Sequence, residues 1–407
     1  MRSTTLVLAA SVLLGQQPTF KSSTQLVEID AVILDKGGNF VTGLKPDQIT
    51  LLENGKPQKI QQFFMVTHDT LDPSAVTTQD GDQAVGGAHR VFVILFDEGH
   101  LAKDSLMRVK QGAEQFVRDM FHEGDAGGIF SNNGMYHGRL TTSKTDLLAG
   151  IHASQPAFDN RQGILAAFRE WPRVDSEVDA ARIADGAREV TIELAKKACN
   201  DDPVACREEG GQSRVENVIE QKARLYVRQA RMLTDQTIQN LDKVSNGLAK
   251  IPGRKTVVLL SEGFFVQDTR TTLQSVAAHA ARNGITIYSI DGRGLINGLS
   301  PNTDVVSMAA ARSQAFDTGE DGPTILTQTT GGFTVRNIDD MSRAFGLIVR
   351  DTSTYYVIGY QPENASMDGK IRKIEIRAAV AGAHVRARTS YAATPLPPQE
   401  AIWGFGK

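Results

Sequence analysis

A buried strand that ends in a carboxylate is the feature that most constrains this chain. Residues 91–96 (Val-Phe-Val-Ile-Leu-Phe) are an unbroken apolar run, and Asp97 follows at once. A run without polar alternation is typical of a strand covered on both faces, as in a parallel sheet. The carboxyl ends of such strands form the edge at which open α/β sheets bind ligands. Asp97 is therefore a candidate metal ligand or polar anchor, and a helix is predicted next, over 103–120.

The rest of the middle of the chain repeats this alternation of strand and helix. Strands are predicted at 126–130, 135–140, 256–260, 285–290 and 333–335, and helices at 144–152, 272–282 and 338–350. Alternation at this spacing indicates an α/β fold with a doubly wound, mainly parallel sheet that has helices on both faces.

Both ends of the chain are rich in predicted strands. These strands lie at 25–34, 49–53 and 59–64 near the N-terminus, with a turn at Asn54-Gly55, and at 354–360, 370–378 and 383–390 near the C-terminus. Neither set has enough strands to close a core alone. We therefore expect the two sets to pack together as a small β-sandwich, with the α/β domain inserted between them.

The segment 155–250 interrupts the α/β pattern and is predicted to be a helical hairpin. Apolar residues follow helical spacing over 215–249, interrupted at Thr237, and a second amphipathic stretch covers 178–197. Such a hairpin would pack on its own domain. It would also emerge near the ligand edge, where it could serve as a partner-binding arm, and both interpretations can hold together.

Several segments together resemble a von Willebrand factor A (VWA) domain. They read VFVILFDEGH, GDAGGIFSNN, GRLTTSKTDLLAGI, GRKTVVLLSEGFF, ARNGITIYSIDGRG, TGGFTVRNIDD and STYYVIGYQP. The flanking STQLVEIDAVILDKGGNFVTGL, ITLLENGKPQKIQQFF, DGKIRKIEIRA and VRARTSYAA narrow the resemblance to VWFA-related proteins described from acidobacteria. Pattern and resemblance together predict a signal peptide at 1–20, a β domain at 21–68 and 353–394, a linker at 69–88, a VWA domain at 89–352 and a tail at 395–407. The resemblance does not cover the insertion at 155–250.

The resemblance also implies a metal-ion-dependent adhesion site, whose pattern is altered here. Asp97 matches the first Asp of Asp-x-Ser-x-Ser, but Gly99 and Leu101 stand where the serines belong. Thr141 is the expected Thr, and Glu262 replaces the last Asp. Carboxylate and hydroxyl oxygens suit Mg²⁺, so the pattern predicts weak Mg²⁺ binding or none. The alternative is a vestigial loop in which Asp97 only caps the following turn and helix.

Charge, targeting signals and cysteines indicate where the protein works. The net charge of −3 gives no sign of nucleic-acid binding. Arg2 followed by the short apolar stretch 6–14 predicts a signal peptide or retained anchor, and no other segment is a candidate membrane helix. Cys199 and Cys206 bracket an acidic, Pro-containing turn and are expected to form a local disulfide in an oxidising compartment. The expected location is extracytoplasmic, in the periplasm, the cell envelope or the medium.

The sequence favours a binding protein over an enzyme. It has no G-x-S-x-G elbow, no H-E-x-x-H motif and no P-loop. The resemblance to VWA domains implies an exported adhesion module of the cell envelope that binds an unidentified protein ligand. The alternative is a metal-assisted hydrolase that uses Asp97, Glu262 and Asp291 as an acidic cluster at the strand ends.

Overall fold

The computed structural model describes residues 26–67, 90–157, 160–174, 176–264, 266, 269–295 and 321–398. The predicted signal peptide at 1–20, the predicted linker at 69–88 and the last nine residues of the predicted tail, 399–407, lie outside the described residues.

The described chain contains short strands at both ends and an α/β region between them. The strands are β1 (Val27–Leu34), β2 (Ile49–Glu53), β3 (Lys56–Gln58), β4 (Ile60–Thr67), β5 (Val91–Phe96), β6 (Ala126–Ser131), β7 (Gly134–Met135), β8 (Lys255–Ser261), β9 (Ile285–Asp291), β10 (Thr334–Val335), β11 (Thr354–Tyr360), β12 (Ile371–Ala378), β13 (His384–Ala387) and β14 (Ser390–Ala392). The α-helices are α1 (Lys103–Asp119), α2 (Lys144–Ala153), α3 (Arg161–Phe168), α4 (Glu177–Ala184), α5 (Arg188–Asp201), α6 (Pro203–Glu209), α7 (Gln212–Leu248), α8 (Arg270–Arg282), α9 (Asp321–Thr330) and α10 (Met341–Ser353).

The central sheet is mostly parallel, as the sequence predicts. Its strand order is β10-β9-β8-β5-β6-β7, and only the short β7 runs antiparallel to its neighbour. The apolar run 91–96 forms β5 in the middle of the sheet, and all six of its residues are buried. Their side chains alternate between the two faces. One face of the sheet shares an apolar cluster with α1, α2 and α10, and the other shares one with α7, α8 and α9, so both faces are covered by helices.

Strands from both ends of the chain share two antiparallel sheets, as predicted. One sheet has the order β13-β1-β11-β4, and the other has the order β14-β12-β2-β3. Strand β11 lies between β1 and β4 and pairs with both. Apolar side chains from the two sheets form one core, which includes Ile29, Leu51, Tyr356, Ile374 and Tyr391. Each antiparallel sheet therefore needs strands from both the first and the last part of the described chain.

The helical segment differs from the predicted hairpin, because it contains the five helices α3 to α7. The stretch 178–197, predicted as one amphipathic helix, is divided into α4 and α5 at Gly186, whose φ of 92° only glycine adopts easily. The other predicted helix is 37 residues long and continuous through Thr237. Its first half packs against α3, α4 and α5 in a separate apolar cluster, and its second half packs on the central sheet.

The strand predicted at 135–140 is also shorter than expected. Strand β7 ends at Met135, and a 3₁₀ turn follows over Tyr136–Gly138. His137 within this turn has a φ of 55°, a left-handed conformation that cannot continue a strand.

A disulfide joins Cys199 near the end of α5 to Cys206 in α6. The turn between them is closed by Asp202, whose carboxylate accepts hydrogen bonds from the backbone N–H groups of Val204 and Ala205 at 3.1 and 2.9 Å. The expected local bridge and the expected turn between two helices are both present.

Deletion of residues 26–67 should abolish the hydrogen-exchange protection of Thr354–Tyr360. Strand β11 would lose both of its neighbours, β1 and β4, and with them its ladder hydrogen bonds. Exchange measured by mass spectrometry on the intact and truncated chains tests this. Unchanged protection of β11 in the truncated chain would show that this strand does not depend on the N-terminal strands.

Replacing both cysteines by serine should destabilise the α5–α6 unit by about 2 kcal/mol, because the unfolded chain gains the entropy that the bridge removes. The loss is modest because the bridge closes only a short loop. Faster exchange in 188–209 of the double variant, with β5 and β8 unchanged, is the expected result. Equal loss of protection in the central sheet would contradict a purely local role.

Candidate functional site at the carboxyl edge of the parallel sheet

Asp97 lies at the carboxyl end of β5 and is almost fully buried, with 2% of its surface exposed. Both oxygens of its carboxylate accept short hydrogen bonds. The hydroxyl of Thr237 on α7 donates to Oδ1 at 2.7 Å, and the hydroxyl of Ser261 at the end of β8 donates to Oδ2 at 2.7 Å. The carboxylate therefore joins two strand ends to the helical insertion.

His100 completes this cluster. Its Nδ1 lies 3.0 Å from Asp97 Oδ1 and 3.3 Å from the Thr237 hydroxyl, and its ring packs beside Phe264. The backbone N–H of His100 also donates to the carbonyl of Asp97 at 2.9 Å, which closes the turn after β5. Asp97, His100, Thr237 and Ser261 are here called the edge cluster.

The predicted capping role of the Asp97 side chain is wrong. Helix α1 begins after Ala102, which provides no side-chain cap, and the carboxylate of Asp97 is bonded to the edge cluster instead. The N–H of Ala102 is bonded by Glu262, whose Oε1 accepts it at 2.9 Å. Glu262, one of the three predicted metal ligands, therefore binds the start of α1.

Thr141 is occupied on its own loop. Its hydroxyl donates to Asp146 Oδ2 at 3.2 Å and accepts the N–H of Ser143 at 3.0 Å. Within the described residues, no hydrogen bond joins Thr141 to Asp97 or to Glu262. Thr141 also lies near the opposite edge of the sheet, because its backbone exchanges two hydrogen bonds with Gly127 at the amino end of β6. Asp97 and Glu262 follow the carboxyl ends of β5 and β8. The prediction that the three ligands come together at the carboxyl edge is therefore wrong for Thr141.

Glu98 ties two further loops to the edge. Its Oε1 accepts the N–H of Gln155 at 2.9 Å, and its Oε2 accepts the N–H of Asn132 at 3.3 Å. Burial raises the pKa of the Glu98 carboxyl, since the charged form loses solvation, and the two N–H donors oppose this only in part. This carboxyl holds the β6–β7 turn and the loop before α3 against the β5 end.

The third carboxylate of the predicted acidic cluster, Asp291, pairs with Arg293. Asp291 Oδ1 and Oδ2 lie 2.9 and 3.1 Å from the Nε of Arg293, and Oδ2 lies 2.5 Å from its Nη2. Among the described residues, no group of three or more His, Cys, Asp and Glu side chains is arranged to hold a metal ion.

Helix α7 covers the edge cluster. Besides Thr237, its Asn240 donates to Asn132 Oδ1 at 3.0 Å. A Cβ added to Gly99 would lie 3.2 Å from Leu233 Cδ2, so the helix sits directly on the turn after β5. A serine in place of Gly99, as in the Asp-x-Ser-x-Ser pattern, would press against this helix. The absence of a side chain at Gly99 therefore leaves the space that Leu233 of α7 occupies.

These contacts do not fit Mg²⁺ in a site open to a partner. Both oxygens of Asp97 are already bonded to hydroxyl groups, the Thr141 hydroxyl is bonded to Asp146, and a helix occupies the space outside the turn. A hard cation needs several oxygen ligands with free lone pairs directed at one point, together with room for waters. The hydrogen bonds of the edge cluster instead connect helix α7 to the ends of β5 and β8.

Reasoning from the sequence missed Thr237, Ser261 and His100 as partners of Asp97. A signal for Thr237 was present, because it interrupts an apolar helical stripe at a position where a core side chain is expected. A polar residue at such a position needs a buried hydrogen-bond partner. The identity of that partner, 140 positions earlier in the chain, could not be read from local pattern.

Comparison with known proteins gives little further guidance. No protein-family model and no curated protein matches the chain. Among solved structures, proximal thread matrix protein 1 from the mussel byssus has a TM-score of 0.30 and 12% identity over 65% of this chain, which spans 48% of that protein. An aerotolerance-related membrane protein from Bacteroides fragilis has a TM-score of 0.28 and 14% identity, covering 65% of this chain and 98% of that one. Both likenesses are too distant to assign a function.

Within the described ranges, no helix has both the length and the apolar character that crossing a bilayer requires.

Thr237→Val should lower the free energy of unfolding by about 1–3 kcal/mol, because it removes the hydroxyl that donates to Oδ1 of the buried Asp97 carboxylate. Thr237→Ser keeps the hydroxyl and is the matched control, with an expected loss below about 1 kcal/mol. Urea denaturation followed by circular dichroism measures both. Equal stabilities of the valine and serine variants would show that the hydroxyl contributes nothing to the edge cluster.

Proposed function

We propose that this chain is an exported VWA-type protein-binding module whose adhesion site has lost its metal. Two features support the VWA assignment: the order of the sequence segments that resemble that family, and the mostly parallel sheet with helices on both faces. The division into a β domain at 21–68 and 353–394, and a VWA domain at 89–352 with its insertion, is part of this proposal.

The contact between Thr237 and Asp97 is the observation that carries the proposal. Asp97 is the residue that a metal-dependent adhesion site would need most, and here its carboxylate holds a helix of the same chain. With Gly99 and Leu101 in the serine positions, the turn after β5 has no hydroxyl groups of its own to offer a cation. Binding would therefore use the outer surfaces of the helical insertion or of the antiparallel sheets.

The proposed place of action is the cell envelope or the medium. Arg2 and the apolar stretch 6–14 support export, and the disulfide between Cys199 and Cys206 suits an oxidising compartment. The carboxylates on which a metal-assisted hydrolase would depend are each bonded to separate groups, so no contact specifically favours that alternative.

The tagged full-length protein should retain a specific partner from envelope extracts equally well in EDTA and in Mg²⁺. An unrelated exported protein with the same tag is the control for nonspecific capture. Isothermal titration of the purified chain with Mg²⁺ and Mn²⁺ should give no saturable binding at millimolar concentration, both before and after Asp97→Ala. Loss of the partner in EDTA, or saturable metal binding that Asp97→Ala removes, would restore the metal-dependent interpretation.

A further inference from the structure

Helix α7 presents an unusual surface on the side that faces away from the edge cluster. Thr237 points inward to Asp97, and Arg228 lies nine positions earlier, which is about half a turn around a helix of about 3.6 residues per turn. Leu225 and Met232 flank Arg228 and are 48% and 71% exposed. Met232 is adjacent to Leu233, which packs on Gly99. Met232 thus lies on the outside of the helix where it crosses the sheet edge, and Leu225 lies about two turns earlier on the same side.

Arginine side chains surround these two apolar residues. The side chain of Arg224 is 62% exposed and that of Arg231 is 57% exposed. Each lies near one carboxylate, Glu220 at 3.9 Å and Asp235 at 3.7 Å. Ion pairs this long and this exposed contribute little. We call Arg224, Leu225, Arg228, Arg231 and Met232 the outer face of α7.

Arg228 gives the outer face its excess of positive charge. It is exposed, and within the described part of the chain it forms no ion pair. With three arginines against two carboxylates the face is cationic, although the whole chain carries a net charge of −3. A cationic face on an acidic protein is a local property that a partner of opposite charge would recognise.

We propose that the outer face of α7 binds an acidic segment of a partner protein, with carboxylates against the arginines and apolar side chains against Leu225 and Met232. This inference rests on the proposed function and names the chemistry of the partner. Arginine and methionine are enriched in protein interfaces, and a guanidinium can bind a carboxylate through two parallel hydrogen bonds.

Both halves of α7 are packed against the rest of the chain, and this packing favours binding by the outer face. Val215, Ile219, Ala223 and Tyr226 anchor its first half in the apolar cluster of the insertion, and Ile238 and the residues after it anchor its second half on the sheet. The outer face is therefore held rigid before binding, which reduces the entropy lost on association.

A protein partner suits this face better than a membrane surface. Its exposed apolar residues are one leucine and one methionine, without an aromatic residue, and helices that lie on membranes carry a broad apolar face. The mixture of arginines with two neighbouring carboxylates also suits a partner of defined geometry more than a uniformly anionic layer.

A library of random twelve-residue peptides displayed on phage would be selected on the immobilised full-length protein and counterselected on Arg228→Glu. Enriched peptides should be rich in Asp and Glu beside apolar residues. The most enriched peptide, made synthetically, should bind the parent at least about tenfold more tightly than Arg228→Glu and Met232→Ser. Arg118→Glu, at an exposed arginine on α1, is the charge-matched control and should bind as the parent does.

Enriched peptides without excess acid, equal binding to Arg228→Glu, or no enrichment at all would overturn the inference. Vesicles of phosphatidylglycerol that bind the parent through Arg228, when no peptide does, would also overturn it and identify a lipid surface instead. If Arg228→Glu still retains an envelope partner, the outer face of α7 is not the binding site, but the proposed function stands. If the parent protein retains no envelope partner, the proposed function itself is wrong.

Discussion

The arrangement of the edge of the parallel sheet depends on how one buried carboxylate is hydrogen-bonded. An ionised carboxylate removed from water is strongly destabilising unless hydrogen bonds replace its hydration. Asp97 receives two hydroxyl donors and lies beside an imidazole, and these groups come from a neighbouring strand end, the adjacent turn and the helical insertion. The insertion is therefore fixed to the sheet edge by the polar contacts of Thr237, Asn240 and Gln155. The apolar contacts of Ile238, Leu241, Val244 and Leu248 add to them.

The long helix reconciles two interpretations of the insertion that the sequence leaves open. Its inward side packs against its own chain along its length, as expected for a structural element. Its outward side at Leu225, Arg228 and Met232 is available to other molecules. The same helix that covers the edge cluster thus also presents an exposed surface on its other side.

The parts of the fold that follow from local pattern were predictable. The run 91–96 identifies the central strand, and the spacing of strands and helices identifies the mostly parallel sheet. The hairpin prediction failed because the break at Gly186 lies within a continuous amphipathic pattern. For the candidate site, sequence places Asp97 at the end of a strand but cannot show that Thr237 reaches it. Hydroxyl groups are common, and which one meets a given carboxylate is decided by packing over a long separation in sequence.

The position of β11 has a consequence for biosynthesis. Val27 pairs with Tyr360, and Thr67 pairs with Thr354, so β1 and β4 are synthesised long before β11, the strand that lies between them. Until residues 354–392 have been made, the apolar side chains of β1 and β4 lack the partners that bury them. Contacts so distant in sequence form slowly, and unpaired apolar strands are prone to associate with other chains. During synthesis, each chain therefore passes through a stage in which these strands can associate with other chains. A chain that ends before residue 354 cannot complete either antiparallel sheet.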